Sequence, residues 1–456
     1  MSVSVMSLRA AIAAIVVATT FGAARIVAFG QTTPPSRATV RLKATLTGHT
    51  KNILAFAFSP DGEIVATGSE DGTVRLWNTG TGELKATLNC ALKYRWGMTV
   101  AWSPDGRTIA VDGYHTRERL QIWDVTTAKR KVVGLATSEV SDLTWSPDGK
   151  MLLTRGFFDK FVELWDAETG AHLARFDQAP PCPKRSFWKT LIHPCDGYEF
   201  IHTYFAAEGH TVITSSEYNP AKLWDTRTGK LKTVIPLRGE EFAEKVYLSD
   251  AVLSPDRRLV ARYINKDVAL LDTATGEVKH ELGQIGLPMA FSPDSQKLLT
   301  TIRVPTSSTL GDWDEFRLYD IATGQLQVSF EKVSLTAFRK DLYWSPDGHT
   351  ILLGSGGADL LDVRTGKYKG SIRYQPCVSD RLIGDGGCQP FILSADGRIA
   401  IKVTNPVRLW NADSGELLTT LETGHAPALF SPTNPRVLIT KHKNRTTALL
   451  WEVAVN

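Results

Sequence analysis

The sequence predicts an all-β fold: a closed ring of four-stranded antiparallel sheets, one per repeat, with nine repeats counted and eight as the alternative count. Three observations predict it. A turn of the type Ser-Pro-Asp-Gly recurs along the chain. Each turn is followed by an apolar segment ending in Leu-Trp-Asp or a near relative. A strand-like segment, Ala38 to Leu46, opens the array, and the last repeat stops at Ala448 to Val453, which reads as a third strand. The fuller turns are Phe58–Gly62, Trp102–Gly106, Trp145–Gly149, Leu253–Arg257, Phe291–Ser295, Trp344–Gly348 and Leu393–Gly397, with weaker versions at Ala206–Gly209 and Phe430–Asn434. The apolar segments end at Trp77, Trp123, Trp165, Trp224, Leu271, Tyr319, Leu361, Trp410 and Trp451.

The first repeat shows how each element arises. Ile53 to Phe58 alternates apolar and small residues, the period-two signature of a strand. Pro60 presets the first central torsion of the turn, Asp61 tolerates the second, and Gly62 adopts the positive φ that completes it. Ile64 to Thr67 returns, Val74 to Trp77 follows, and a second turn at Asn78–Gly82 leads to a fourth strand, Glu83 to Leu88. Four strands cannot bury both faces of their sheet alone. Successive sheets stacked around an axis bury one another, so the repeats must be numerous and the ring closed.

Length and composition agree. At 456 residues the chain has the length of two or three ordinary domains, but a repeat array grows by addition of units, so residues 38–456 read as one domain. Hydrophobic content of 43 % with 22 % charged residues excludes a disordered or membrane-embedded chain. Residues 1–30 have the layout of a secretory signal peptide: Arg9, an uncharged run from Ala10 to Phe21, then the small residues Ala28 and Gly30. Cleavage is expected near Gly30. The alternative is an uncleaved anchor, against which Arg25 interrupts the run of roughly 20 apolar residues a bilayer span needs. Residues 31–37, with Pro34 and Pro35, read as a linker. The expected product is an exported monomer, periplasmic or extracellular. Loss of residues 1–30 removes Arg9 and Arg25 and no acid, taking the formal charge from +4 to +2, which makes no electrostatic case for nucleic acid. The densest basic run, Lys441-His442-Lys443-Asn444-Arg445, reads as a solvated loop between strands. Cys182 with Cys195, and Cys377 with Cys388, are disulfide candidates; in an oxidising compartment each bridge is worth about 2–3 kcal/mol. Cys90 is left over. The alternative is five reduced thiols.

With its Gly48-His49, Ser69, Asp71 and Trp77, the first repeat resembles a WD40-repeat β-propeller blade, and the resemblance extends over nearly all of residues 38–456. It implies a structural hydrogen-bonded set in which His49 bridges Asp71 to Ser69 and Trp77. Repeats two to nine lack the Gly-His pair at that position, and Leu271, Tyr319 and Leu361 replace the Trp, so those blades are expected to rely more on apolar packing. The Ser-Pro-Asp-Gly turn also occurs in TolB-like propellers, whereas Leu223 to Gly229 favours WD40. The resemblance also implies that the N-terminal strand completes the last blade. In such propellers the connections after the second and fourth strands share one rim, the top face.

Three intervals are enlarged: Trp165 to Gly209 is 44 residues, Leu361 to Gly397 is 36, and Ser295 to Tyr319 is 24. All three map to the top face, as loops at Gln178–Gly197, Gln375–Gln389 and Val304–Glu315. Aromatic and Arg side chains dominate many interfaces, and elaborated loops on a rigid scaffold carry binding sites. The candidate partner-binding residues are therefore Arg185, Trp188, Trp313 and Arg381, with Tyr114 and Tyr218 on shorter connections. No nucleophile elbow, zinc helix, phosphate loop or Cys-x-x-Cys pair occurs. His193-Pro194-Cys195 and His202 are not read as a metal site, because Cys195 has a partner in Cys182 and His202 falls on a strand. The sequence thus points to a non-enzymatic module, without cofactor or metal, binding a protein or peptide on the top face. Two alternatives stand beside it: an enzyme or small-ligand binder using the central channel, and a multi-partner assembly scaffold of the cell envelope.

Overall fold

Period-two segments separated by Gly-bearing turns place four strands in every repeat. The computed structural model of the chain describes residues 38–91, 98–112, 120–134, 140–156, 161–177, 201–216, 221–235, 251–264, 267–304, 313–330, 342–354, 358–372, 391–402 and 405–455. Blade one runs Ile53–Phe58, Ile64–Ser69, Thr73–Asn78 and Leu84–Asn89, each strand antiparallel to the one before it. Seven further blades repeat that order. The ninth takes three strands from the C-terminus, Gly424–Phe430, Val437–His442 and Ala448–Val455. Its fourth is the first strand of the array: Ala38–Leu46 pairs with Ala448–Val455 from Ala38↔Val455 to Leu46↔Ala448. The count is nine, and both ends of the array share one sheet.

The core is distributed. Nine buried apolar clusters occur among the described residues, one at each junction between successive blades. The closing cluster joins Leu46, Val437, Ile439, Ala448 and Leu450 of blade nine to Ile53, Phe58, Val65 and Trp77 of blade one. First strands of neighbouring blades approach one another around the axis. Fourth strands lie outermost, with Leu84, Leu173, Leu231, Leu326, Tyr368 and Leu417 exposed.

The recurring turn links blades as well as strands. Within each full turn the Ser hydroxyl donates to the Asp two residues on, as at Ser59–Asp61 (2.5 Å) and Ser103–Asp105 (2.6 Å), and accepts an N–H five residues on, such as that of Ile64 (3.0 Å). The turn Gly faces the turn Pro of the preceding blade: a Cβ on Gly106 would lie 3.6 Å from Pro60, and one on Gly149 3.7 Å from Pro104. Trp102 and Trp145 donate their indole N–H to Ala57 O (3.0 Å) and Ala101 O (3.1 Å) of the blade before. Where the sequence lacks Gly, Arg257 and Ser295 themselves take positive φ (60° and 59°). The turns between third and fourth strands press against the outer strand of the preceding blade, and a Cβ on Gly415 would sit 2.6 Å from Ser371 O.

One enlarged interval differs from the expected loop. In blade six Val304 and Trp313 to Glu315 belong to strands, Lys297–Val304 and Trp313–Asp320, paired to the end as Arg303↔Asp314 and Val304↔Trp313. The extra residues lengthen a hairpin to eight residues per strand, because pairing satisfies backbone groups that a loop would leave to solvent.

Left-handed backbone costs a residue with a Cβ about 1–2 kcal/mol. Gly106→Ala, at φ 69° with room for the methyl, is expected to lose that amount in urea unfolding. Gly415→Ala, at φ 75° against a carbonyl, is expected to lose more; equal losses would refute the close approach of the second turn to its neighbour.

Candidate functional site

In each sheet the first-to-second and third-to-fourth turns lie at one end, so the second-to-third turns and the blade-to-blade connections lie at the other. The first rim is built from the short turns described above. The strands that flank 178–200, 305–312 and 373–390 all end or begin on the second rim. Arg185, Trp188, Cys182 and Cys195 fall in the first of these segments and Arg381, Cys377 and Cys388 in the third, outside the described residues; Tyr114 and Tyr218 also lie outside them. Trp313 opens the third strand of blade six at this rim, opposite Val304.

At the junction of blades nine and one the rim segments 421–424, 442–448, 46–53 and 69–73 are described, and a buried polar chain stiffens it. His49 Nδ1 lies 2.9 Å from Asp71 Oδ2, His49 Nε2 lies 2.7 Å from Thr67 Oγ1, and Trp77 Nε1 donates to Thr67 Oγ1 at 2.9 Å. One proton arrangement satisfies every atom: Trp77 N–H donates to Thr67, Thr67 O–H donates to Nε2, and Nδ1–H donates to Asp71. The position assigned to Ser69 is taken by Thr67. Ser69 sits two residues further along the same strand, nearer the rim, where its hydroxyl donates to Lys51 O (3.1 Å) and accepts the Asp71 N–H (3.2 Å). Register explains the exchange: Val65, Thr67 and Ser69 share one face of their strand, but Val65 pairs with Trp77, so Thr67 is the nearer hydroxyl to the indole and Ser69 lies a further residue pair away.

Burial holds the His49 imidazole below its ordinary 6.5, against the hydrogen bond and charge of Asp71 that favour protonation, and Arg75 adds to the lowering. Burial pushes Asp71 upward, but hydrogen bonds from Thr73, the Thr50 N–H and His49 outweigh it and bring the carboxyl to about 2.

The Trp-to-hydroxyl pair recurs without the His. Trp165, Trp224 and Trp451 donate to Thr154 (2.8 Å), Thr214 (2.9 Å) and Thr440 (2.9 Å), and Trp123 donates to Gln121 (3.1 Å). A Thr 10 or 11 residues before the Trp was the available signal. At the matching position blade five buries Arg262 and blade eight buries Lys402. Arg262 Nη1 donates to Ile235 O (3.0 Å), and Lys402 Nζ stands 4.7 Å from the Phe391 ring centre. Cys90 is a buried free thiol, pushed up to about 12 by burial, so it is poorly suited to nucleophilic or redox chemistry.

Two further features were not visible in the sequence. A cavity of about 410 Å³ lies between blades four and five, lined among others by Tyr204, Ile213, Val252, Leu253, Arg257 and Met289. Burial raises the Tyr204 phenol, with Asp142 adding and Arg257 opposing. Lys441 and His442, expected in a loop, end the strand Val437–His442, and only Lys443 onward forms the turn.

The WD40 family (WD domain, G-beta repeat) matches residues 40–78 and 131–166. The chain is similar to WD repeat-containing protein slp1 of Schizosaccharomyces pombe, 25 % identical over 199 residues, 42 % of this chain and 37 % of that protein. Small ribosomal subunit protein RACK1 of the same organism is 33 % identical over 135 residues, 28 % of this chain and 41 % of that one. A guanine nucleotide-binding protein subunit beta of Nicotiana plumbaginifolia is 23 % identical over 295 residues, 53 % and 73 % of the two chains. The chain thus carries WD40-type repeats, and spans 37 % and 41 % of the length of slp1 and RACK1.

Thr67→Val removes an oxygen used by two buried partners, and is expected to cost about 1–3 kcal/mol. A group whose folded pKa is lowered binds more protons unfolded, so stability falls as pH falls. The His49 contribution is whole above 6.5 and declines below it; the Asp71 contribution is whole above 3.8 and is lost toward about 2. Thermal unfolding between neutral and acid pH checks both, and a Thr67→Val protein that melts like the parent would refute the network.

Proposed function

We propose that the chain is a non-enzymatic module that binds a protein or peptide on the second rim. The observation that carries this is the asymmetry between rims: all three enlarged segments join strands that end on one rim, while the other repeats short turns. Rigid blades would hold the enlarged segments in place, each long one stapled by its own cysteine pair in an exported protein, so that little loop entropy is lost on binding. Arg185, Trp188, Trp313 and Arg381, with Tyr114 and Tyr218, are the proposed anchors, since Trp, Tyr and Arg recur as the dominant residues of interfaces. The similarities support the reading at a coarser level: RACK1 is by name a ribosomal subunit protein and the Nicotiana relative a subunit of a nucleotide-binding protein, so both belong to assemblies.

Trimming 183–194 and 378–387 is expected to abolish partner capture from a cell-envelope extract while leaving thermal unfolding nearly unchanged; undiminished capture would reject the proposal.

The cavity beside Tyr204 and Met289 favours a second reading, a small ligand entering from the central opening. Met289→Trp fills that space. It is expected to abolish any stabilisation that a small-molecule set confers on thermal unfolding of the parent, and persistence of the stabilisation would exclude the cavity.

A further inference from the structure

Charges of one sign gather at the blade-nine end of the second rim. Between Glu422 and Glu452 the chain has no acidic residue, yet it carries His425, Arg436, Lys441, His442, Lys443 and Arg445. Folding concentrates five of these. His425 lies directly across from Lys441, and Gly424 across from His442, on paired strands. The turn then brings round Lys443, whose N–H donates to Thr423 O (3.2 Å), and Arg445, whose N–H donates to His442 O (2.8 Å). Like charges directly opposite on a sheet are destabilising, so this position disfavours protonation of His425. No carboxylate forms an ion pair with any of the five among the described residues. The repulsion is felt: burial lowers His425, and His442, Lys441, Lys443 and Arg445 each lower it further. Burial lowers Lys441 too, and Arg445 adds to it against the pull of Glu70.

The cluster is also held in shape. Asn444 accepts the N–H groups of Thr446 and Thr447 on its amide oxygen (both 3.2 Å) and donates its amide to Thr447 Oγ1 (3.0 Å). The Arg445 carbonyl accepts the Ile53 N–H of blade one (2.8 Å). Lys441 Nζ reaches across to Asn52 Oδ1 (3.4 Å) and Ile53 O (3.3 Å), neutral acceptors rather than a carboxylate. Glu70, the acid that acts on Lys441, already accepts the Asn52 amide (3.1 Å). Lys443 and Arg445 stand exposed beside it.

We infer that this end of the rim is a docking site for an acidic peptide segment, with Lys441, Lys443 and Arg445 supplying the charge and the pinned turn supplying the shape. The inference rests on the assignment of this rim to protein binding. An anion arriving here gains the attraction of several cations already assembled, and the turn that carries them has little freedom left to lose.

The test is fluorescence anisotropy of a fluorescein-labelled hexaglutamate peptide, with labelled hexaglutamine as control. The parent is expected to bind hexaglutamate at least about tenfold more tightly than hexaglutamine, and to lose about tenfold between about 50 and about 500 mM salt as screening sets in. Lys443→Gln with Arg445→Asn, the Asn chosen because it tolerates the φ of 66° at that position, is expected to weaken binding at least about tenfold with unchanged thermal unfolding. Lys443→Glu alone is expected to weaken it similarly. Unaltered affinity in both variants would overturn the inference, as would equal binding of hexaglutamine. Tighter binding of phosphatidylserine vesicles or of duplex DNA would overturn the peptide assignment. Hexaglutamate binding that survives trimming of 183–194 and 378–387 separates this site from the loop anchors; its loss there would move the peptide off blade nine.

Discussion

Apolar side chains trapped between successive sheets are what every other feature of this protein depends on. A sheet such as Ile53–Asn89 has two faces and can bury neither by itself, so Val65 and Trp77 are buried against Ile439 and Leu450 on one side while Ala66 and Leu76 meet Ile109 and Trp123 on the other. Each blade is therefore a wall of two cores, and stability passes from neighbour to neighbour. The array must then end without an open flank. Blade nine solves this by taking Ala38–Leu46 as its outer strand, which places Leu46 in the same cluster as Ile53 and Trp77.

Polar interactions add direction to that packing. The Ser-to-Asp bond repeats in turn after turn, and Pro60 against Gly106 or Pro104 against Gly149 sets the spacing of adjacent blades. At the closing junction the chain from 47 to 52 crosses the rim between blade nine and blade one. It is gripped there by the bonds of Asp71 to His49 and Thr50 and of Ser69 to Lys51 O. The closure thus has an apolar lock beneath and a polar one above, and only the polar one responds to acid.

The same geometry divides labour between the rims. Turns that stack on one another have no freedom to grow, since a Cβ at Gly415 would already strike Ser371. Connections on the second rim carry no such constraint, and the long segments accumulate there. Cations that form no ion pair among the described residues collect at its blade-nine end, where the closure pins them against blade one.

Fold class and a count of nine repeats, with eight as the alternative, were readable from the chain because turn residues and period-two alternation are local and recur, while the closing strand was implied by the family resemblance. The side-chain pairings were not. Ser69 and Thr67 both offer a hydroxyl on the same face of their strand, and only the register of Val65 against Trp77 shows which one lies within reach of the indole. Trp313 belonged to a segment too long for its neighbours, and pairing with Val304 made it strand. Nothing in the local sequence marks Arg262 and Lys402 as buried cations; the stacking of blades buries them. Lys441 and Asn52 lie 389 residues apart and meet because the ring closes between them. The sequence by itself determined the repeating unit, which depends on neighbours along the chain; the tertiary structure decided which units touch and which charges share a rim, which depend on neighbours across it.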